Sequence, residues 1–299
     1  MNEPRSLLGA IDWGELAPLR LRARRVAEGV YAGTHRSVRR GAGVEFGGYR
    51  EYVPGDDLRW LDRRSLLRHD RLVVRQFETE TDRALCLLVD ASASMSYRGP
   101  KAPGAKIAFA AVVAAALARI ALASGDPVSL TFLGAGRAVP RSVGHEQFER
   151  IVASLEAVEP AGDGLLDPSL LDQALQTLAR ATRRGAIVVL LSDLVDLPEV
   201  AAERVAEISA AGRVLTVVQT LDPAEADFPF VGTVRLRALE GGTVVETDGE
   251  STRDGYLAAL AALTRTWSDA ITRGGGRLLR AATDADPVGV VRSVVEAIR

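Results

Sequence analysis

The chain has 299 residues, 47% of them hydrophobic, and a formal net charge of −2. That length can bury one large core, or one core with an appendage. The balanced charge gives no global field for nucleic acid or an anionic membrane.

Residues 1–83 differ in texture from the rest. They are rich in arginine and glycine, lack a sustained period, and are expected to form an N-terminal segment packed on a main domain of residues 84–299. The arginine clusters Arg20, Arg22, Arg24, Arg25 and Arg36, Arg39, Arg40 have acidic residues between them and few aromatic neighbours. A solvated helix face accounts for them better than a nucleic-acid patch. Pro54-Gly55-Asp56-Asp57 has turn chemistry. Arg50, Arg59 and Arg63 beside Asp56, Asp57 and Asp62 suggest ion pairs holding an irregular segment, with a docking surface as the alternative. Residues 72–77 alternate apolar and polar and read as an added edge strand.

From residue 84 the chain alternates between short β-branched runs and alanine-rich helical patterns. Residues 84–90 (ALCLLVD) form a continuously apolar run, the mark of a strand covered on both faces. Cys86, the single cysteine, lies in that run and reads as a core residue; alone it allows no internal disulfide. Residues 106–124 predict a helix stopped by Gly125. Its apolar run, 107–123, is mostly alanine and carries Arg119, so it reads as a buried helix and not a membrane span. Strands follow at 128–133, 187–191 and 214–220, and helices at 148–158, 169–184 and 199–211. A small hairpin is expected over 233–237 and 243–246, then a helix at 254–273, a strand at 278–281 and a helix at 287–298. Residues 1–10 carry no leader signature, which makes a cytoplasmic protein the expectation. The alternation predicts an α/β fold with a doubly wound, mostly parallel sheet and helices on both faces.

In such sheets ligands sit beyond the carboxyl ends of the strands. After the first strand comes Asp90-Ala91-Ser92-Ala93-Ser94, and after the later buried strand comes Ser192-Asp193. Asp90, Ser92 and Ser94 alternate, a spacing that can aim three oxygens at one point. Carboxylate and hydroxyl oxygens suit a hard cation such as Mg²⁺, or another divalent ion such as Mn²⁺. Neutral hydroxyls leave the ion's charge largely unquenched, so its open position favours a carboxylate from another protein.

Asp90-x-Ser92-x-Ser94 after a buried strand, with Ser192-Asp193 after a later one, resembles the metal-ion-dependent adhesion site of von Willebrand factor A domains. The resemblance implies that Ser92 and Ser94 are direct ligands, and that Asp90 and Asp193 bind directly or through water. The family also has a threonine ahead of a helix reading Asp-Leu-x-x-Ala-Leu. Here the stretch reads Ser169-Leu170-Leu171-Asp172-Gln173-Ala174-Leu175, so Ser169 keeps the hydroxyl and the acidic residue after it becomes leucine. Asp163 or Asp167 are alternatives to Ser169, and a helix cap is the plain reading of Ser169.

A second set of residues, Gly43-Val44-Glu45-Phe46, Tyr49 to Asp62 (YREYVPGDDLRWLD) and Leu72 to Glu78 (LVVRQFE), is similar to the bacterial family called domain of unknown function 58. Members pair such a segment with a von Willebrand factor A-like domain. Their usual tryptophan after Ile-Asp is Arg63 here, with Trp60 three residues earlier. The resemblance implies an adaptor or co-chaperone for a MoxR-type AAA+ ATPase, linking it to an unknown client protein.

No phosphate-binding Gly-x-x-x-x-Gly-Lys-Ser/Thr loop and no Gly-x-Ser-x-Gly elbow occur. His35, His69 and His145 lack ligand spacing and read as surface residues. The expectation is therefore a metal-dependent protein-interaction module without catalysis. Two alternatives stand beside it: a Mg²⁺-dependent phosphohydrolase using the Asp90 loop, which lacks a second Asp at the acid position, and a structural domain whose site is empty.

Overall fold

The computed structural model describes residues 19–31, 45–51, 73–78, 83–134, 136–162, 169–195, 197–198, 200–239 and 243–298. In chain order the elements are helix α1 (Leu19–Tyr31), strands β1 (Glu45–Glu51), β2 (Val73–Glu78) and β3 (Leu85–Ala91), and a 3₁₀ turn (Ala93–Ser96). Then come α2 (Lys106–Ala123), β4 (Val128–Gly134), β5 (Val139–Ser142), α3 (His145–Ala157), α4 (Ser169–Ala181) and β6 (Ile187–Ser192). The chain ends with α5 (Ala201–Ala210), β7 (Val214–Leu221), α6 (Pro223–Asp227), β8 (Thr233–Arg237), β9 (Val244–Asp248), α7 (Gly249–Arg273), β10 (Arg277–Ala282) and α8 (Pro287–Ala297).

Two compact units share the chain. Residues 34–82 form one, and 1–33 with 83–299 form the other, so α1 belongs with the main domain. In the smaller unit β1 and β2 make an antiparallel ribbon with an irregularity between Phe46 and Gly48. The strand expected at 72–77 is β2, and its partner is β1. Arg50 lies in β1, while the turn at 54–57, the other members of its arginine–aspartate cluster, His35, His69 and the second arginine cluster lie outside the described residues.

The main unit is built on a six-stranded sheet in the order β10-β7-β6-β3-β4-β5. All neighbours are parallel except the edge pair β4–β5. Chain order reverses at β3, with β4 on one side and β6 on the other. A crevice forms at such a switch point, where the two flanking loops leave in opposite directions.

Alternation along the central strands feeds two cores. Leu85, Leu87 and Val89 of β3, with Val189 and Leu191 of β6, face the layer containing α1, α2, α3 and α8. Cys86 and Leu88, with Val188 and Leu190, face α4, α5 and α7. Every residue of β3 is buried, which is why its run is continuously apolar. Cys86 is a free, buried core residue.

Helix α2 is enclosed on all sides. Thirteen of its eighteen residues, Lys106 to Ala118, are buried. Its alanines let the backbone approach both the sheet and the surrounding helices at close range. It is the one described helix long and apolar enough to cross a membrane, and 72% of it is buried within this core. Helix α1 covers it with Leu19, Ala23, Val26, Ala27 and Val30, a helical stripe, while Arg20, Arg24 and Arg25 point outward. That part of the solvated-face reading of the arginines agrees with the structure.

Candidate metal-binding rim at the switch point

Three strand ends converge at one rim. The first is β3, whose last residues put Asp90 at the head of the 3₁₀ turn. Asp90 is 1% exposed. Its Oδ1 accepts the Ser92 backbone N–H (2.9 Å), and its Oδ2 accepts the Ser192 hydroxyl (2.5 Å). The first bond folds the loop back on the strand. The second ties β3 to the end of β6.

Ser92 and Ser94 are both buried, with their hydroxyl oxygens 3.1 Å apart. Two adjacent corners of a Mg²⁺ octahedron with ligands at 2.0–2.1 Å lie about 2.9 Å apart. The loop is held from below by Ala161, whose N–H donates to the Ala91 carbonyl (2.8 Å), and by Ala93, whose N–H donates to the Gly162 carbonyl (3.1 Å).

Asp193, also 1% exposed, follows Ser192. Its Oδ1 accepts the Val195 N–H (3.1 Å). Leu194 adopts the left-handed conformation at φ 67° although it carries a branched side chain that is fully buried. That conformation costs about 1–2 kcal/mol for a non-glycine residue. The Leu194 N–H donates to the Ser192 hydroxyl (2.9 Å), so this one hydroxyl bridges the bent loop to Asp90.

The residue that sequence reasoning passed over is Lys106, at the start of α2. It is fully buried, and its Nζ donates to Asp193 Oδ2 and to Glu225 Oε1, both at 2.6 Å. It also lies 5.8 Å from the centre of the Tyr97 ring. Burial works against its charge, but Asp193 and Glu225 outweigh burial and hold the ammonium protonated above its ordinary value. Glu225 shows the opposite balance, since burial lifts its carboxyl above the ordinary value despite Lys106. The ammonium is the firmer member of the pair, because two carboxylates support one cation.

Glu225 is placed by a capping box at the end of β7. Asp222 accepts the Ala224 N–H, while Glu225 Oε2 accepts the Asp222 N–H. Asp222 Oδ2 also accepts the Gly99 N–H (2.7 Å), stitching the loop before α2 to the β7 end. A Cβ on Gly99 would sit 2.2 Å from Asp222 Oδ1 and 2.9 Å from the Ala224 Cβ. Gly99→Ala is therefore expected to cost about 1–3 kcal/mol of stability. A thermal melt unchanged from wild type would count against this account of the loop.

Of the expected site residues, Asp90, Ser92, Ser94 and Asp193 gather on this rim. Ser169 stands at the first turn of α4, exposed, with its hydroxyl accepting from Gln173 Nε2 (3.3 Å). Its neighbours Leu170 and Leu171 line a small apolar pocket together with Asp90, Ser92, Leu133 and Leu197. Asp163 and Asp167 lie outside the described residues. Among the described residues no cluster of three or more His, Cys, Asp or Glu side chains could hold a metal, so any ion here depends on the serine hydroxyls. His145, with its side chain 81% exposed, is the surface residue its spacing suggested.

The donor set fits a hard divalent ion. Burial and the charge of Asp193 push the Asp90 carboxyl up to about 6. Asp90 feels the negative charge of Asp193 in this buried site, and its own hydrogen bonds go to neutral donors, the Ser92 N–H and the Ser192 hydroxyl. A pH dependence follows in the presence of chelator. A carboxyl raised from 3.8 to about 6 in the fold favours the protonated form there. Its contribution is therefore present below the unfolded value and is lost as pH rises through about 6. Metal-free protein should gain stability as pH falls from 7 toward 5, and Asp90→Asn should remove most of that gain. Unfolding free energies that fall steadily over that window would refute the assignment.

The profile of the family described as "Protein of unknown function DUF58" matches residues 48–266. The chain belongs to the DUF58 family. The DUF58 chain is 30% identical over 295 residues to an uncharacterized protein of Mycobacterium tuberculosis, which covers 96% of this chain and 90% of the relative. The same values hold for an uncharacterized protein of Mycobacterium bovis. The main unit of this DUF58 protein is a mostly parallel, doubly wound sheet with helices on both faces. Similar solved structures include BatB from Bacteroides thetaiotaomicron, 14% identical over 72% of this chain and 98% of that one, with a TM-score of 0.43. Another is an aerotolerance-related membrane protein from Bacteroides fragilis, 15% identical over 72% and 98%, with a TM-score of 0.46. A third is a von Willebrand factor type A protein from Catenulispora acidiphila, 14% identical over 64% and 44%, with a TM-score of 0.34.

Proposed function

We propose that this DUF58 protein is a divalent-metal-dependent protein-interaction module that holds an acidic side chain of a partner. The observation that carries the reading is the pairing of buried Asp90 with two hydroxyls 3.1 Å apart at the switch point of the sheet. Asp90, Ser92 and Ser94 would hold Mg²⁺ or Mn²⁺, with Asp193 acting directly or through water. A bound ion supplies an under-neutralised electrophilic position for a foreign carboxylate. The protein's part is to fix the donors: Ser192 orients Asp90, and the 3₁₀ turn presents the two serines. The partner proposed is a MoxR-type AAA+ ATPase, with the module linking it to a client protein.

A Mg²⁺-dependent phosphohydrolase on the same loop is the competing reading. It needs a phosphate-binding cation, and Lys106 spends hydrogen bonds on Asp193 and Glu225 while fully buried. The test is calorimetric titration of Mg²⁺ and Mn²⁺ into wild type and Asp90→Ala, followed by capture of the purified ATPase with and without chelator. Binding to the ATPase that survives both chelator and Asp90→Ala would overturn metal dependence. Hydrolysis of a generic phosphate ester by wild type and not by Asp90→Ala would replace the interaction reading with the enzyme.

A further inference from the structure

We infer that Lys106 is the resident cation of this rim, a fixed charge that occupies Asp193 and thereby sets how strongly the Asp90–Ser92–Ser94 loop holds a divalent ion. The inference rests on the metal reading above and adds the residue that tunes it. Lys106 touches no expected ligand except Asp193, so it is a positioning and charge-setting residue.

Three observations support it. First, Lys106 is fully buried, where a lysine is rare unless paired. Second, its ammonium reaches two carboxylates from two different strand ends, Asp193 after β6 and Glu225 after β7, both at 2.6 Å. Third, both Asp193 oxygens are already engaged, Oδ2 by Lys106 and Oδ1 by the Val195 N–H. The chain carries only one other lysine, Lys101, among 37 basic residues. At this buried position the compact ammonium matches two converging carboxylates as single-point contacts, where a planar guanidinium would need more room.

The charge balance gives the consequence. Asp90, Asp193, Asp222 and Glu225 bring four carboxylates, and Lys106 offsets one of them. An incoming divalent ion therefore meets fewer free charges than the carboxylate count suggests. It is held more weakly, and keeps more of its own charge for a partner's acidic group. Coulomb interactions between buried groups several ångströms apart remain worth kilocalories at an effective dielectric of ~20, so removing a fixed charge here changes affinity by large factors.

The experiment is Mn²⁺ titration by calorimetry of the full-length wild type, Lys106→Met and Glu225→Gln, with the thermal midpoint measured in chelator and in saturating Mn²⁺. Lys106→Met should bind Mn²⁺ at least about tenfold more tightly and show a larger midpoint gain on adding it. Glu225→Gln keeps the cation and removes a balancing charge, so it should bind more weakly by several-fold. A clamp that only held the loops together would weaken binding in both variants. Should Lys106→Met fail to fold, Lys106→Gln takes its place: tighter Mn²⁺ binding by it supports the inference, and unchanged or weaker binding overturns it. A wild type that binds with both variants unchanged overturns this inference and leaves the metal reading standing. No binding by wild type but clear binding by Lys106→Met overturns the metal reading for the native chain and upholds the role of Lys106. Absence of Mn²⁺ binding in all three overturns both.

Discussion

Lys106→Met is expected to lower the unfolding free energy of the metal-free protein by about 3–5 kcal/mol. The side chain is replaced by one of similar length, so the packing loss is small. What remains is two carboxylates, one of them 1% exposed, facing each other without the ammonium. Removing one member of a buried ion pair is costly because it strands the other, whatever the net worth of the intact pair. The loss should shrink as pH falls, because burial already raises the Glu225 carboxyl and favours its protonated form. Denaturant unfolding in chelator, followed by circular dichroism at neutral pH and near pH 5, measures both effects. A neutral-pH loss below about 1 kcal/mol would mean that Asp193 and Glu225 find other partners.

The second large effect has the opposite sign for the apo protein. Asp90→Asn removes a charge that burial and Asp193 both disfavour, so the metal-free fold should gain about 1–3 kcal/mol near pH 8. The amide oxygen can still accept the Ser92 N–H, and Ser192 can accept from the amide nitrogen. Divalent-ion binding should fall at least about a hundredfold, since the carboxylate beside the two hydroxyls is gone. A site that is more stable empty and weaker loaded is the signature of a carboxylate kept for binding. Destabilisation of the apo protein together with unchanged Mn²⁺ affinity would refute that role.

The main sheet was legible because burial on both faces leaves a continuous apolar run, and β3, β6 and β7 fall within one residue of their expected ends. The hairpin β8–β9 was marked by Gly241-Gly242 between β-branched runs. Other elements were hidden for identifiable reasons. In helix α1 the arginines Arg20, Arg22, Arg24 and Arg25 suggested a solvated helix face, but their charge masked its buried side, a stripe of small and aliphatic residues one helical turn apart. Strand β5 has a buried Val139 followed by three exposed residues, too short for alternation to register. Helix α6 is five residues long, yet its Asp222-Pro223-Ala224-Glu225 spells a capping box that points to it.

The site divides the same way. Asp90, Ser92, Ser94 and Asp193 were visible because they are close in sequence and follow strands. Lys106, Glu225 and Gly99 join them only through contacts that span 87 to 123 positions in the chain. No local pattern announces such a contact. The scarcity of lysine in an arginine-rich chain was the available hint, because a residue type avoided elsewhere is retained where its shape matters.

That scarcity has a practical side. Lys101 is exposed and Lys106 is fully buried, and no other side-chain amine exists in the sequence. An amine-directed reagent applied to the native protein would mark Lys101 at once and reach Lys106 only when the helix start swings open. Mass spectrometry of the peptide holding both lysines therefore gives a clock for breathing of the rim, and an acidic partner or a divalent ion that seals it should slow the second label while leaving the first untouched.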